Sequence, residues 1–452
     1  MRTEHKRPTD VRLSNISRRK AVVVSAKKSS IRVRRVMGVC GASVLVFALS
    51  QCASSGSSTA GRVRVGSAPV ANSDLSWQQV SGPTFADQTA PALVVSNSQI
   101  VAVGQASSAT PGSDSAVQAV TFDAASKTFG QASSASPLQG VADISAVAVG
   151  PTIVVAGIDC ATPTQPDSCG NGNVAAATYT SPDQKWQPID VPTGGDFSAS
   201  PAVGGLSAVG VIGSSAVFLA TQEDSSARTS NTDFIAFDVT SSSWRSLGSP
   251  KLSGVISGAC ATDAGIVAFG SHDLYNGEPV SRSTEAASSG TPIDPTKIET
   301  TGPDAAEYSA SDQTWRSPAT SSDLRVNMGG YQFACWPGGV IAYGAVGNQV
   351  PLVDVATQLD PSSLTWTQIA PPHELAITTE HAWTGNHLVF WGQADPTIRP
   401  SFTYDPSTNV WTPEPPGPLA STEVGADGVV LAYHVSNTDG AATWTLATGD
   451  RL

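Results

Sequence analysis

Charged residues and cysteines are scarce in this chain of 452 residues. Asp, Glu, Lys and Arg together make up 14% of it, and there are six cysteines. Sustained helical periodicity is missing as well, while Gly, Ser, Thr and Ala abound. This composition is typical of many short strands joined by turns, and the length after Ser73 suffices for one large all-β domain.

Basic residues are especially scarce after residue 51. The first 51 residues hold 12 Lys and Arg against 2 Asp and Glu, which leaves 13 against 35 in the rest and a formal net charge there of −22. Nucleic acids and anionic membrane surfaces attract clustered positive charge. The sequence therefore argues against both as partners of the folded part.

The basic N-terminal segment ends in an apolar run at Val36–Leu49. Fourteen residues with two glycines are too few to span a bilayer stably, so the run is interpreted as the hydrophobic region of a signal peptide. We expect residues 1–51 to be the basic region and signal peptide of an exported protein.

The next residues resemble a bacterial lipobox, Leu49-Ser50-Gln51-Cys52. The resemblance implies that Cys52 is lipidated, so that membrane contact is made only through this anchor. Residues 52–72, rich in Ser and Gly, would be a flexible tether. The alternative is a secreted, extracellular protein cut nearby, with an incidental Cys52.

A short apolar strand recurs seven times in residues 73–452. The copies are Ile100–Gly104, Ile153–Gly157, Ala216–Ala220, Ile266–Gly270, Val340–Gly344, Leu388–Gly392 and Val429–Tyr433. Six are followed by two apolar or aromatic residues seven positions apart, with Asp, Ser, Thr, Pro and Asn between them. These pairs are Phe122/Phe129, Tyr179/Trp186, Phe237/Trp244, Tyr308/Trp315, Leu359/Trp366 and Tyr404/Trp411. The constant offset predicts one copied tight hairpin.

The two ends of the chain complete the seventh repeat. The first residue of its aromatic pair is assigned to Trp444, and the chain ends where the second residue of that pair would fall. Trp77 precedes the first repeat and has no partner there. We therefore predict a seven-bladed β-propeller of four-stranded antiparallel blades, closed by an N-terminal outer strand. Closure removes an exposed sheet edge.

Several segments resemble kelch-type propeller blades of bacterial secreted proteins and lipoproteins. They are Tyr404–Trp411, His381–Gln393 and the glycine pair Gly338-Gly339. The resemblance implies four-stranded blades around an axial channel. It implies no activity, because the fold occurs in both enzymes and binding proteins.

Four cysteines remain in the folded part, and an even number in an exported chain suggests disulfides. Cys160 and Cys169 bracket a short loop and make an easy local pair. Cys260 and Cys335 precede the repeat strand in neighbouring repeats, which favours a bridge between blades. Metal binding is the competing interpretation, but no Cys-x-x-Cys pair or nearby His supplies further ligands.

The connections between strands differ on the two faces of the predicted disc. One face carries short turns, and the other carries connections from six residues to over thirty, of which Ser271–Pro303 is the longest. Binding loops diverge while scaffold turns are constant, so the variable face is the candidate site. Its candidate residues are His272, Asp273, Tyr275, Glu278 and Arg282, with Asp395 and Arg399 from repeat six. A solvated loop is the alternative interpretation of this cluster.

Trp336 and Trp383 interrupt the small-residue pattern of the innermost strands. They belong either to the core or to a channel or pocket lining. The other recurring tryptophans are expected to pack between blades.

Catalytic motifs are missing from the sequence. The five His of the folded part and its four Cys do not match the ligand set of a copper oxidase on a kelch-type propeller. Sialidase Asp-boxes, quinoprotein motifs and nucleophile elbows are not found either. We therefore expect no cofactor and no resident metal.

Two functions remain. The favoured one is a non-catalytic propeller of the cell envelope that binds a protein or glycan through its variable face. The alternative is a carbohydrate-active enzyme or oxidoreductase whose site is assembled from scattered loop residues. The sequence leaves the ligand and the oligomeric state open.

Overall fold

The computed structural model describes most of the chain from residue 75 to residue 449. The described ranges are 75–85, 90–106, 116–159, 172–181, 183–192, 205–224, 229–252, 255–275, 278–280, 298–317, 325–326, 328–346, 353–378, 380–392, 399–426, 428–436 and 441–449. The predicted signal peptide, the tether with Cys52, and the predicted pair Cys160 and Cys169 lie outside these ranges.

The described residues form an all-β fold of seven blades, each with four antiparallel strands, arranged in a ring. The strands of the first part are β1 (Ser76–Val80), β2 (Ala92–Ser96), β3 (Gln99–Gln105), β4 (Val117–Asp123), β5 (Thr128–Phe129), β6 (Val141–Val149), β7 (Thr152–Asp159), β8 (Asn173–Thr180), β9 (Lys185–Ile189), β10 (Gly205–Ile212), β11 (Ser215–Asp224), β12 (Thr229–Asp238) and β13 (Ser243–Gly248). Blades one, two and three are β2–β5, β6–β9 and β10–β13, each in order from the innermost to the outermost strand.

The remaining strands build blades four to seven. They are β14 (Val255–Thr262), β15 (Gly265–Tyr275), β16 (Glu278–Val280), β17 (Ile298–Ser309), β18 (Thr314–Arg316), β19 (Arg325–Val326), β20 (Met328–Trp336), β21 (Gly339–Val346), β22 (Val353–Asp360), β23 (Thr365–Ile369), β24 (Glu380–Trp383), β25 (Leu388–Trp391), β26 (Ser401–Asp405), β27 (Val410–Pro413), β28 (Thr422–Ala426), β29 (Val429–Val435) and β30 (Ala442–Thr448). Blade four is β14-β15-β17-β18, with β16 and β19 added to it, and blades five and six are β20–β23 and β24–β27. A 3₁₀ turn at Leu375–Ile377 lies between blades five and six.

Blade seven combines the two ends of the described chain, because its strand order is β28-β29-β30-β1. The predicted closure of the ring by an N-terminal outer strand is therefore confirmed. The predicted pairing of Trp77 with Trp444 is wrong by three residues: Trp77 lies opposite Ala447, and Trp444 lies opposite Val80. The seven-residue offset holds only where one hairpin joins the third and fourth strands, and in blade seven these strands come from distant parts of the sequence.

The six aromatic or apolar pairs of the other blades are direct cross-strand neighbours. Tyr404 lies opposite Trp411 and Leu359 opposite Trp366, and the same holds for the remaining four pairs. The outer member of each pair then packs against an apolar cluster shared by two adjacent blades. Each of the seven interfaces between blades has one such cluster, and each cluster has one aromatic residue from an outer strand packed against it. These residues are Phe129, Trp186, Trp244, Trp315, Trp366, Trp411 and, in blade seven, Trp77.

Two of these tryptophans also form hydrogen bonds to the preceding blade. The indole N–H of Trp186 donates to Ser133 Oγ at 3.0 Å, and that of Trp315 donates to the carbonyl of Leu247 at 2.8 Å. The repeated aromatic residue therefore joins neighbouring blades by burial of apolar surface and, at these two positions, by a directional bond.

A disulfide joins the innermost strands of blades four and five. Cys260 of β14 and Cys335 of β20 are bonded, with their Cα atoms 6.4 Å apart. The predicted bridge between these blades is confirmed. It lies close to the axis, where equivalent positions of adjacent blades approach one another.

Candidate binding face

The two faces of the propeller are defined by the connections they carry. We call the side with the turns from third to fourth strands the hairpin face, and the opposite side the loop face. In the six hairpins, the last turn residue has a positive φ of 51–57°. These residues are Lys127, Gln184, Ser242, Gln313, Leu364 and Asn409. One turn conformation is therefore repeated around the hairpin face.

Aspartate side chains stabilise four of these hairpins. The carboxylate of Asp405 accepts a hydrogen bond from the backbone N–H of Ser407 at 2.9 Å, and also bonds the hydroxyls of Ser407 and Thr408. These bonds lower the pKa of Asp405 to about 2. Asp123, Asp238 and Asp360 accept equivalent backbone bonds. The constant residues of the hairpin face are thus explained by turn formation.

The loop face carries an extension of blade four. Strands β15 and β17 continue beyond the end of β14, with His272 opposite Thr301 and Tyr275 opposite Ile298. Strand β16 pairs antiparallel with the end of β15, with Tyr275 opposite Glu278. The insertion that was interpreted as a loop is therefore partly β-structure.

This extension places four candidate residues on paired strands. His272, Asp273 and Tyr275 belong to β15, and Glu278 belongs to β16. Arg282 and Asp395 lie outside the described residues. Arg399 is exposed and lies shortly before Ser401, the first residue of β26. The N-terminal end of β26 belongs to the loop face.

The two inner-strand tryptophans lie at the other end of the blades. Trp336 and Trp383 are the last residues of β20 and β24, next to the turns that lead to the second strands. Trp336 is 7% exposed and packs between blades five and six, with its ring centroid 6.5 Å from that of Tyr404. Trp383 is partly buried against the same cluster. They do not share a face with the blade-four extension.

A second polar group, not predicted from the sequence, lies on the inner strands of blades six and seven. Glu380 and His381 are in β24, and Glu423 is in β28. The carboxyl of Glu423 is hydrogen-bonded to that of Glu380 and accepts a bond from the backbone N–H of His381. Two carboxyl groups that bond each other must share a proton. We call Glu380 and Glu423 the carboxyl pair.

Burial and mutual repulsion shift the ionisation of this group. Burial, and then the charge of Glu380, raise the pKa of Glu423 to about 8, although the side chain is partly accessible to solvent. Burial lowers the pKa of His381 to about 4, so this imidazole is neutral near pH 7. Burial, followed by the charges of the carboxyl pair, raises the pKa of Tyr343 well above its usual range.

The hydroxyl of Tyr343, on β21 of blade five, has hydrogen-bond partners of its own. It donates to Oε1 of Gln332 at 3.1 Å and is also hydrogen-bonded to the Thr378 side chain. Gln332 in turn donates to the carbonyl of Ala376 at 3.1 Å. The sequence contains a signal for this polar group. Glu380 and Glu423 lie at or near the start of the innermost strands EHAW and TEVGA, whereas the innermost strands of the other blades begin with small or apolar residues.

The innermost strands are uniformly free of positive charge. Strands β2, β6, β10, β14, β20, β24 and β28 contain no Lys or Arg, whereas β6, β24 and β28 contain Asp143, Glu380 and Glu423. Burial raises the pKa of Asp143 as well. The charges on these seven strands therefore favour neutral or cationic ligands over anionic ones.

The described part of the chain offers no further ligand set of a recognisable kind. Within it, no group of three or more His, Cys, Asp or Glu is arranged to hold a metal ion. Over the same residues, no helix is both long and apolar enough to cross a membrane.

No protein-family model matches the chain, and no curated protein sequence does. Among solved structures, the chain is similar to the crystal structure of the polysaccharide lyase Uly1, with a TM-score of 0.50 and 10% sequence identity. The match covers 82% of this chain and 92% of the lyase. At this identity the likeness concerns the fold alone, and it agrees with the seven-bladed propeller described above.

Proposed function

We propose that this protein is an exported propeller of the kelch type that binds a protein or glycan of the cell envelope through its loop face. The observation that carries the proposal is the difference between the faces. The hairpin face repeats one turn held by local hydrogen bonds, whereas the loop face carries the extension of blade four, β15–β16–β17. Scaffold positions repeat, and positions that contact a ligand diverge.

The blade-four extension suits recognition because backbone pairing fixes it. Ten residue pairs join β15 to β17, and four of these lie beyond the blade itself. A ligand that binds to His272, Asp273 or Tyr275 therefore meets residues of paired strands and avoids part of the entropic cost of ordering a loop. The net negative charge favours a neutral or basic partner surface.

The binding test compares two matched variants with the wild-type domain. In the first, Asp273→Ala and Tyr275→Ala remove side chains from the extension while the strand pairing is kept. In the second, Ser407→Ala and Thr408→Ala change the hairpin face of blade six. Binding is measured on an array of envelope glycans and by cross-linking to purified envelope proteins, with circular dichroism as the check on folding.

We expect the extension variant to lose at least tenfold in affinity, and the hairpin-face variant to keep its affinity with a lower melting temperature. The proposal fails if the extension variant binds as the wild type does and the hairpin-face variant does not bind. Replacing the whole of Ser271–Pro303 is unsuitable, because it would remove strand residues of β15 and β17.

The anchor is a separate part of the proposal. Lipidation of Cys52 would hold the propeller at the membrane surface, with residues 53–72 as the tether. The intact mass of the mature protein should include a diacylglycerol group, and Cys52→Ala should abolish it. An unmodified N-terminus downstream of Cys52 would contradict this assignment.

A carbohydrate-active enzyme is the second candidate. It is supported by the titratable group of Glu380, His381, Tyr343 and Glu423, since perturbed pKa values occur often at active sites. The fold is also that of a polysaccharide lyase. Carboxyl groups in direct hydrogen bond are too close for two-carboxyl glycoside hydrolysis, which needs a separation of roughly 5 Å or more.

A panel of polysaccharides, assayed for new reducing ends and unsaturated products, tests whether the protein is a carbohydrate-active enzyme. Without any such product the candidate is excluded, and activity that Glu423→Gln retains in full would show that the site lies elsewhere.

A further inference from the structure

A small pocket lies at the hairpin-face end of blade six, and its volume is about 280 Å³. Pockets that hold drug-sized ligands measure roughly 300–1,000 Å³, so this one suits a group of the size of a side chain. Thr403 and Asp405 alternate along β26 with Tyr404, which packs toward blade five, and the pocket therefore lies on the side that faces blade seven. It is lined by His387, Thr403, Asp405, Thr408, Val410 and Thr412.

Thr412 takes a position at which two other blades carry arginine. It lies on β27, directly after the outer-strand tryptophan and opposite Thr403. The residues in the same register are Arg245 of β13 and Arg316 of β18. Each of them also follows the outer-strand tryptophan of its blade, so its side chain leaves the strand on the same side as that of Thr412.

Both arginines use their guanidinium groups on that side of the blade. Arg316 donates from Nε to Oε2 of Glu307 at 3.1 Å. Arg245 donates from Nη1 to the hydroxyl of Tyr308, in blade four, at 3.3 Å. Glu307 lies opposite Arg316 on the neighbouring strand, in the register that Thr403 has in blade six. Blades three and four thus hold a guanidinium where blade six has its pocket.

Blade seven places only a small side chain opposite this part of blade six. At the preceding interface, Tyr404 of blade six donates its hydroxyl to Oε1 of Gln358 in blade five, at 2.9 Å. Gln358 has the same register in β22 as Thr403 has in β26. The residue of blade seven that corresponds to Tyr404 is Ala447, which lies opposite Trp77 of the outer strand and faces blade six. An alanine is too short to make the contact that the tyrosine makes.

The polar atoms of the pocket are mainly hydrogen-bond acceptors. Hydrogen bonds within its own turn, and to a smaller extent the charge of His387, lower the pKa of Asp405 to about 2, so this carboxylate is charged near pH 7. The hydroxyl of Thr403 donates to Oε1 of Glu414 at 2.8 Å, and that of Thr408 donates to Asp405 at 2.7 Å. A hydroxyl has one hydrogen, so these two can only accept further bonds. Such a lining favours a cation with several N–H donors.

The strands around the pocket carry no such cation. Strands β24 to β30 and β1 contain no Lys or Arg, and Arg399 lies beyond the opposite end of β26. The carboxylate of Asp405 is bonded to Ser407 and Thr408 of its own turn. Nδ1 of His387 is buried and has no hydrogen-bond partner among the described residues. The guanidinium that pairs with Glu307 in blade four therefore has no counterpart on these strands.

We propose that this pocket of blade six is a binding site for a guanidinium group, which enters from outside the chain and takes the place that the arginine side chains have in blades three and four. The carboxylate of Asp405 neutralises the cation, and the oxygens of Thr403, Thr408 and Thr412 accept its N–H groups. The site belongs to the hairpin face, so it is separate from the loop face and does not rest on what that face binds.

The first experiment measures binding of four probes to the whole protein by calorimetric titration at low ionic strength. N-acetyl-arginine amide represents an arginine of a polypeptide, and methylguanidine represents a small free cation. N-acetyl-citrulline amide keeps the shape of the arginine probe without its charge. The fourth probe, p-cresol, represents a tyrosine side chain, which is the group that the fold places at the preceding interface.

The arginine probe should bind about tenfold or more tightly than the citrulline probe, and added salt should weaken it. Tighter binding of the arginine probe than of methylguanidine identifies a polypeptide as the source of the group, and equal binding identifies a small cation. Either result supports the site. Equal affinity for the arginine and citrulline probes, binding of p-cresol without the guanidinium probes, or no binding of either guanidinium probe at millimolar concentration would overturn it.

The second experiment locates the binding with variants, each checked for folding by circular dichroism. Thr412→Arg supplies the guanidinium from the chain itself, as in blades three and four, and should weaken the arginine probe about tenfold or more. Asp405→Asn keeps the acceptor of the turn but removes the charge, and it should have a similar effect even if Thr412→Arg does not fold. Asp360→Asn changes the corresponding turn of blade five and is the matched control, which should keep the affinity of the wild type. The proposal fails if Asp405→Asn binds as the wild type does, or if Asp360→Asn loses as much affinity as Asp405→Asn.

Discussion

A buried ion pair stabilises blade four. Glu307 of β17 is 0% exposed and accepts hydrogen bonds from Nη2 and Nε of Arg316 on the neighbouring strand β18, the latter at 3.1 Å. By alternation from Ala305, the glutamate lies on the side that packs against blade five. Arg316 is 44% exposed, so the cation keeps part of its hydration while it neutralises the buried carboxylate.

Arg316→Leu should lower the free energy of unfolding by about 3 kcal/mol, because it leaves an unpaired charge in the interior. The double variant Glu307→Gln with Arg316→Leu should recover most of that loss, since no buried charge remains. Urea unfolding of the wild type, the single variant and the double variant measures both values. A double variant as unstable as the single one would show that apolar packing, and not the charge, is responsible.

Residue-level patterns in the sequence predicted local structure well and buried charge poorly. The turn residues around Asp405 were recognisable because their hydrogen bonds join neighbours two or three positions apart. The burial of Glu307 and the meeting of Glu380 with Glu423 depend on contacts between strands and blades. No local pattern distinguishes Glu307 from a glutamate on a solvated strand, and Glu380 and Glu423 differ from such residues only in a comparison of the innermost strands of all blades.

The disulfide between β14 and β20 connects two blades that otherwise meet through side-chain packing. Cys260 and Cys335 close a loop of 75 residues. In the chain-entropy model a loop of this length stabilises the folded state by about 4 kcal/mol. The bridge should therefore matter more than a local one.

Cys260→Ser with Cys335→Ser should lower the melting temperature clearly more than Cys160→Ser with Cys169→Ser, whose predicted loop is far shorter. Non-reducing peptide mapping of the wild type establishes both pairings before the comparison is made. Free thiols at Cys260 and Cys335 in protein from an oxidising compartment, or equal effects of the two double variants, would contradict this expectation.

Whole elements were predictable where they repeat and less so where they do not. Seven strands and six hairpins follow from spacing alone, because a copied hairpin keeps its turn. The strands in the blade-four insertion were missed, since the pairing of His272 with Thr301 joins residues far apart in sequence. The error of three residues at Trp77 has the same origin: its register is set by pairing with β30 and not by a turn.

At the scale of the whole molecule, the ring depends on a strand of five residues. β1 pairs along its full length with β30, and Trp77 packs on Trp391 of blade six, with ring centroids 5.2 Å apart. Gly82 then lies directly against Trp444 and Phe129, where a side chain would clash. The segment from residue 75 to residue 85 therefore connects blades six, seven and one.

Deletion of residues 75–85 should expose the edge of β30 and the indole of Trp391, lower the melting temperature by several degrees or more, and cause association through the free edge. Moving the same residues to the C-terminus, behind a short Gly/Ser linker after Leu452, should restore most of the stability. The relocated strand can follow β30 as a hairpin, because Ser76 lies opposite Thr448. Calorimetry and light scattering of the wild type, the deletion and the relocation make the comparison. If the deletion stays monomeric with an unchanged melting temperature, or the relocation is as unstable as the deletion, pairing with β30 is not what closes the ring.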